Sequence, residues 1–239
     1  MDRGSLSDPK VIEASRDFVC ARLATYEDAE EAKFLKTLAR TRSGELENSV
    51  FCILAPDGKT KLTRGGRGPE MVFGHSQERM VATMKEIAAR YKAKKGDPKL
   101  PLIKDVRLAV NVAACDGLPL AIVRKETDAL AKLAWQKEFQ GQVLWVKADG
   151  IEALKIKGAS KGAPLLVVQP SVFGDAATVL ASTQGTDYAD TLRAALKKFR
   201  AARKGNHRQH VRTGKRQGVH WETEIPVTDP GIPPGGHRR

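Results

Sequence analysis

The chain is poor in cysteine and in aromatic residues, and it contains no long apolar run. Three cysteines in 239 residues exclude a scaffold held together by disulfides. No segment approaches the roughly 18 consecutive apolar residues that a transmembrane helix requires, so we expect no membrane span. Residues 1–10 lack the charged start and apolar stretch of a secretory signal. The chain as written is therefore expected in the cytoplasm.

Basic residues outnumber acidic ones, and the excess is concentrated towards the C-terminal end. The net charge is +13 for the whole chain, and residues 197–239 contribute +8 of it. Such a basic arm attracts polyanions such as RNA, DNA or acidic membranes through salt-sensitive, non-specific forces. Its candidate polyanion-binding residues are Arg208, Arg212, Lys215 and Arg216. The alternative interpretation is a solvated tail that keeps the protein soluble.

Composition and element pattern divide the chain into two domains and a tail. With 41% hydrophobic and 29% charged residues, the sequence is that of a globular protein able to bury a core. The segment 94–101 (KKGDPKLP) combines charge, glycine and two prolines without apolar periodicity, which indicates a boundary. We therefore expect a first domain at residues 1–94, a linker at 95–104, a second domain at 105–204 and a disordered basic tail at 205–239.

Both halves contain apolar, strand-like runs that alternate with amphipathic helices. In the first half, strands are predicted at residues 18–23, 49–54 and 60–64, and helices at 8–16, 27–38 and 77–94. In the second half, helices are predicted at residues 105–115, 127–139 and 186–203, and strands at 118–123, 142–147, 163–169 and 177–182. Strands that alternate with helices and then close with a hairpin and a helix predict an α/β fold, a mixed sheet flanked by helices.

This order, strand, helix, strand, strand, helix, resembles that of the thioredoxin fold. Residues 1–11 (MDRGSLSDPKV), followed by 17–23 (DFVCARL), resemble the stretch that continues from the active-site helix into a strand in family members with the pattern C-x-x-C-x-x-M. Residues 48–59 (NSVFCILAPDGK) resemble the penultimate strand and hairpin of that family. The resemblance implies two thioredoxin-like domains in tandem, the first of which lacks its N-terminal strand.

The redox chemistry of that family needs two cysteines at C-x-x-C spacing at a helix N-terminus, because the helix end lowers the pKa of the first thiol. No two cysteines in this chain have that spacing. Cys20 and Cys52 lie in apolar runs and are expected to be buried. Cys115, which precedes Asp116, is expected to be partly exposed and is a weak candidate for a catalytic thiol. After residue 123, where the family places its cysteines, this chain reads RKETD.

The resemblance also implies a peptide-binding groove in the second domain. Residues 162–164 (GAP) resemble the family's segment with a cis-proline opposite the active site, which makes Ala163 and Pro164 candidate binding residues. A trans proline that begins a strand is an equal alternative. In the first half the equivalent place reads ENS, without a proline.

Three functions remain open from the sequence. The first is a thioredoxin-family protein without an intact dithiol, either a binding or scaffold module or a fragment of a redox protein. The second is a thiol-dependent oxidoreductase with a single cysteine, and the third is a protein that binds RNA or DNA through its tail. We expect a protein or peptide partner, no cofactor and no metal site. Because the resemblance begins inside the family's active-site helix, we also hypothesise that Met1 is internal to a longer, exported product that carries the thiols.

Overall fold

The structure is a computed structural model in which the chain divides into two compact units. The first unit comprises residues 1–94 and 222–239, and the second comprises residues 95–221. The described residues are 4–39, 49–91, 99–148, 151, 155–160, 162–202, 206–220 and 225.

The second unit is an α/β structure built on one mixed sheet. Its strands are β1 (Leu102–Ile103), β2 (Leu120–Val123), β3 (Leu144–Lys147), β4 (Lys155–Lys157), β5 (Leu165–Pro170) and β6 (Ala176–Thr183). Within the described part of this unit, these six strands form a sheet in the order β1-β3-β2-β5-β6-β4. The first three strands in that order are parallel, whereas β5 runs antiparallel to both β2 and β6. β4 adds a parallel edge strand beside β6.

The central strands are apolar on both faces, because helices cover both sides of the sheet. All four residues of β2 are buried, and β5 is buried at all but one position. Side chains alternate between the two faces of a strand. Ala121 and Val123 therefore lie in one buried cluster, while Leu120 and Ile122 lie in another. The sheet is thus the middle layer of a three-layer structure.

In the described part of the second unit, four helices accompany this sheet. They are α5 (Val106–Asp116), α6 (Asp128–Ala134), α7 (Tyr188–Lys198) and α8 (His207–Arg216), numbered after four helices of the first unit. α5 packs into one buried cluster through Val106, Ala109 and Val110. α6 and α7 contribute Leu130 and Leu192 to the other cluster, which fixes the layer that each helix occupies.

Short polar side chains and one glycine set the limits of these helices. The carboxylate of Asp105 accepts the amide hydrogen of Leu108 at 2.8 Å, and the hydroxyl of Thr127 accepts that of Leu130 at 3.2 Å. Both are N-cap contacts, which satisfy amides that have no partner inside the helix. α5 ends at Gly117, whose φ of 66° lies in the left-handed region that favours glycine.

Helices are the main regular structure of the first unit in its described residues. Its helices are α1 (Pro9–Ser15), α2 (Ala29–Leu38), α3 (Pro69–Phe73) and α4 (Gln77–Arg90). Its main core joins residues of α1 and α4 to Ile53 and Phe73. Between residues 49 and 66 the β pairing described is limited to two isolated bridges, Phe51 with Gly66 and Leu54 with Lys61.

The first unit therefore does not match the expected fold. The predicted strand at residues 18–23 is irregular, with Val19 79% exposed. The predicted strands at 49–54 and 60–64 form bridges only. An apolar run becomes a strand only where a partner strand pairs with it, and these runs have no ladder within residues 4–39 and 49–91. A mixed sheet in the first half was thus a wrong prediction for the described residues.

Two boundaries also differ from the sequence prediction. The predicted linker at 95–104 contains β1, and Leu100 just before it is buried. A two-residue strand is too short to produce the alternating pattern by which strands are predicted. The predicted disordered tail at 205–239 contains α8. Most of its remainder, at residues 221–224 and 226–239, lies outside the described residues.

Candidate functional site

The place where the thioredoxin resemblance locates the thiols lies just after β2, and we call it the β2 edge. It consists of residues 124–127 and Pro164. Val123 pairs with Leu165 in the antiparallel ladder of β2 and β5, so the next residues in each direction are also neighbours. The amide of Arg124 accordingly donates to the carbonyl oxygen of Pro164 at 3.0 Å. The fold therefore brings together two segments that are 40 residues apart.

Charged, solvent-exposed side chains occupy the β2 edge. Arg124, Lys125 and Glu126 are exposed, and Thr127 caps α6. Lys147, at the end of the neighbouring strand β3, forms an ion pair with Glu126 at 2.7 Å. An exposed pair of this kind adds at most about 1 kcal/mol to stability. It does fix the position of the Glu126 carboxylate beside the loop, so the edge carries both signs of charge at defined places.

The two predicted groove residues occupy different environments. Pro164 is partly exposed at the β2 edge, but Ala163 is completely buried in the core. A partner can reach Pro164 without a change in the fold, whereas Ala163 is not accessible. The structure contains no cis peptide bond in its described part, so Pro164 is trans. Of the two alternatives, the structure has the plain trans proline at the start of a strand, and the buried side chain of Ala163 offers no surface to a partner.

The β2 edge itself contains no cysteine. All three are thiols, not disulfides. Cys115 is exposed in the last turn of α5, which precedes β2, whereas the β2 edge follows that strand. The length of β2 alone separates its first and last Cα atoms by about 10 Å. Cys115, the weak catalytic candidate, is therefore not brought to the place where the family carries its thiols.

The other two cysteines both lie in the first unit. Cys20 is exposed, which contradicts the expectation of a buried side chain. Its run of apolar residues has no strand partner to cover it. Cys52 is half-buried, and this burial raises the pKa of its thiol, with Lys61 acting weakly in the opposite direction. A thiol with a raised pKa is a poorer nucleophile at neutral pH, so the structure gives Cys52 no activation.

The four candidate polyanion-binding residues lie on a single face of α8, which we call the basic face. They are Arg208, Arg212, Lys215 and Arg216, and all four are exposed. Relative to Arg208, the others lie four, seven and eight positions on, and a helix brings such positions to one side. α8 contains no acidic residue. Among the salt bridges of the described residues, none involves these four cations.

The opposite side of α8 packs against the turn between β5 and β6. The rings of His210 and Phe173 lie with their centroids 4.6 Å apart. Gly214 is buried so closely against Phe173 that a Cβ atom at this position would lie 3.2 Å from a ring carbon. Asn206 is the N-cap of α8, and its side-chain oxygen accepts the amide hydrogen of Arg208 at 2.9 Å. These contacts fix α8 with its basic face towards the solvent.

Sequence reasoning missed Phe173 and Gly214, the residues that hold α8 in place. The only sequence signal was indirect: a glycine between basic residues, at a position where close approach to an aromatic ring requires the absence of a side chain. Neither residue belongs to an apolar repeat, so periodicity could not identify them.

The described residues provide no metal site and no membrane helix. No group of three or more His, Cys, Asp or Glu residues among them is arranged to hold a metal ion. None of their helices is both long enough and apolar enough to cross a bilayer.

Comparisons with family models, with curated proteins and with solved structures find no match to this chain. The β2 edge and the basic face are therefore the two surfaces of the chain that bear on its function.

Proposed function

We propose that the second unit is a thioredoxin-like module without a dithiol, and that it binds a protein partner at the β2 edge. The observation that supports this most is the arrangement of its sheet. The parallel part consists of β1, α5, β2, α6 and β3, and after the short strand β4 come the antiparallel pair β5 and β6 and the helix α7. Strands that alternate with helices and then close with a hairpin and a helix are the features that support the thioredoxin resemblance for this unit.

A binding role, not a catalytic one, follows from the residues at the β2 edge. Thr127 occupies the N-cap of α6, where the family carries the first thiol of its pair, and the buried Leu130 stands three residues later. Neither residue can form a disulfide or attack one. What the edge does offer is an accessible proline beside exposed charged side chains. Surfaces of this kind can orient a polypeptide without any chemical step.

Turnover is tested with the insulin-reduction assay in the presence of dithiothreitol. We expect no acceleration above the background rate, with or without the change Cys115→Ser. An activity that is present in the unchanged protein and lost in the Cys115→Ser variant would instead establish the single-cysteine enzyme.

Binding is tested with a labelled insulin B chain whose cysteines have been reduced and carbamidomethylated, which provides an extended polypeptide without reactive thiols. Fluorescence anisotropy is expected to show binding that weakens at least about tenfold in the double variant Arg124→Ala/Lys125→Ala, a loss of about 1.4 kcal/mol. Lys132→Ala removes an exposed cation from the same loop–helix segment and serves as the control. Equal binding by all three proteins would exclude the β2 edge as the site.

The fold assignment has its own test, a gain of function. In the double variant Thr127→Cys/Leu130→Cys, two cysteines have C-x-x-C spacing at the start of α6, where the helix end favours a thiolate. We expect the variant to form an intramolecular disulfide and to reduce insulin measurably. A folded variant, as judged by circular dichroism, that leaves both thiols unpaired under oxidising conditions would count against the thioredoxin-like assignment. The single variant Thr127→Cys is the control, because it has no second thiol.

A further inference from the structure

We infer that the basic face of α8 binds the phosphate backbone of nucleic acid. The inference does not depend on the proposed role of the β2 edge, because it concerns a different element with different chemistry. The observation that carries it is the juxtaposition of four exposed cations on a helix whose other side is packed against the protein.

The spacing of the cations suits a polyphosphate chain. Eight residues separate Arg208 from Arg216, which corresponds to about 12 Å along the helix axis. A nucleic-acid strand places one phosphate about every 3.4 Å along its axis when it is helical, so about three or four phosphates can lie along the basic face. Arg212 and Lys215 fill the interval between the two end residues. Cations that are spread over this length match a row of charges better than they match a single small anion.

The charges on this face are available to a ligand. α8 itself contains no carboxylate, and no ion pair described for the chain uses any of the four side chains. The Arg216 guanidinium does contact the Thr213 hydroxyl, but at 3.4 Å this is a weak bond to a neutral group. Three of the four cations are arginines, whose planar guanidinium groups match the geometry of phosphate oxygens. Among the residues that the structure describes, a bound phosphate would therefore displace water and not a salt-bridge partner.

The docked side of α8 argues against a membrane as the partner. Helices that lie on a membrane insert a face rich in tryptophan, phenylalanine or leucine below the headgroups. The side of α8 opposite its cations consists of His210, Thr213 and Gly214, and it is already packed against Phe173. Val211 is the exposed large apolar residue of this helix. A lipid surface would thus meet the cations but no apolar face to insert.

Binding of this kind is weak, sequence-independent and dependent on salt. For single strands, each phosphate neutralised contributes about 0.7 to the slope of log affinity against log salt. Four contacts give a slope of about −2.8, which corresponds to about a 50-fold loss of affinity between 50 and 200 mM KCl. We expect a comparable slope of log affinity against log salt for a 20-nucleotide oligo(U) and a 20-nucleotide oligo(dT), because the phosphates are the groups recognised.

The experiment measures fluorescence polarisation of these two labelled oligonucleotides with the full chain. The variant Arg208→Gln/Arg212→Gln is expected to lower the magnitude of the slope by about 1.4, and Arg208→Lys/Arg212→Lys is expected to keep it. Glutamine and lysine are both good helix formers, so α8 is expected to persist in each variant. The lysine variant shows whether charge, not side-chain identity, is what matters.

The matched control is Lys155→Gln/Lys157→Gln, which removes the same charge from two exposed residues of β4. An unchanged slope in this control, together with a reduced slope in the α8 variant, supports the basic face as the binding surface. An equal reduction in both proteins would show that net charge alone attracts the nucleic acid, and it would overturn the inference. So would binding to phosphatidylserine vesicles without binding to either oligonucleotide.

Discussion

The contact between Phe173 and α8 leads to a quantitative prediction about local stability. α8 has ten residues, and isolated helices shorter than about 12–15 residues are marginal in water. Its order must therefore come from docking through the His210 ring, 4.6 Å from that of Phe173, and through Gly214. The change Phe173→Ala removes the ring that both residues contact. We expect α8 to open much more often while the sheet of the second unit remains folded.

The magnitude follows from the environment of the ring. Replacing a fully buried phenylalanine by alanine costs about 3–5 kcal/mol, and a ring pair adds about 0.5–1.5 kcal/mol beyond its buried area. Phe173 is only partly buried, so we expect about 1–2 kcal/mol. This corresponds to hydrogen exchange about 5–30 times faster for the amides of residues 211–216.

Mass spectrometry of deuterium uptake would measure this effect, with the amides of α7 as an internal control. Val172→Ala is the matched variant, since it removes an apolar side chain that is already 37% exposed from the same turn. We expect it to leave exchange in α8 nearly unchanged. Unchanged exchange in the Phe173→Ala protein would refute the view that docking on this ring orders the helix.

Three further predictions concern the stability and reactivity of each unit. Leu192 is fully buried against the sheet, so Leu192→Ala is expected to lower the free energy of unfolding of the second unit by about 2–5 kcal/mol in urea titrations. A neighbouring hydroxyl and two backbone amides lower the pKa of Asp57 to about 2. Because the pKa of Asp57 is lower in the folded protein, the ionised carboxylate stabilises the folded state above about pH 4, and this stabilisation is lost as the pH falls towards 2. The Asp57→Ala variant should lack this pH dependence. NMR titration of the Asp57 carboxyl carbon would measure the pKa. The exposed Cys20 and Cys115 should react with a thiol-specific disulfide reagent before Cys52, whose accessibility is lower and whose pKa is raised by burial.

The sheet of the second unit could be predicted largely from its sequence. The strand runs around Ile122 and Val167 are apolar except for Gln169, and this is typical of strands that helices cover on both faces. Capping residues such as Asp105 and Thr127 mark the starts of α5 and α6. Signals of this kind can be recognised in the sequence because burial patterns and capping involve only a few neighbouring residues. β4 had no such signal, since two of its three residues are exposed lysines.

The first unit and α8 could not be predicted in the same way, because distant contacts decide them. The run 18–23 has the composition of a strand, but it has no ladder partner in the described residues, and Val19 is left 79% exposed. α8 contains a glycine, a threonine and two histidines, which are poor or moderate helix formers. Its helical state depends on Phe173, which is 41 residues before Gly214 in the chain. Without that contact, a basic solvated tail was the reasonable prediction.

In the candidate sites too, the sequence identifies the residues, but contacts between distant residues determine the geometry. Each of the four cations in α8 could be selected from the sequence, but their common face exists only because the segment is helical. The β2 edge could likewise be located after residue 123, whereas its contact with Pro164 depends on the register of β2 with β5. Charge is a property of single residues, and a surface is a property of their arrangement. Sequence alone therefore gave the candidates but not the geometry.

Salt dependence separates the two proposed surfaces of the second unit. Residues 124–128 contain two cations and two carboxylates, so polypeptide binding at the β2 edge should weaken much less between 50 and 200 mM KCl than oligonucleotide binding at the basic face. The basic face carries four cations and no acid, so its binding should weaken about 50-fold over the same range. A polypeptide whose binding falls as steeply as that of the oligonucleotides would point to α8 and not to the β2 edge. Titrating one protein with both ligands therefore shows whether these are two sites or one.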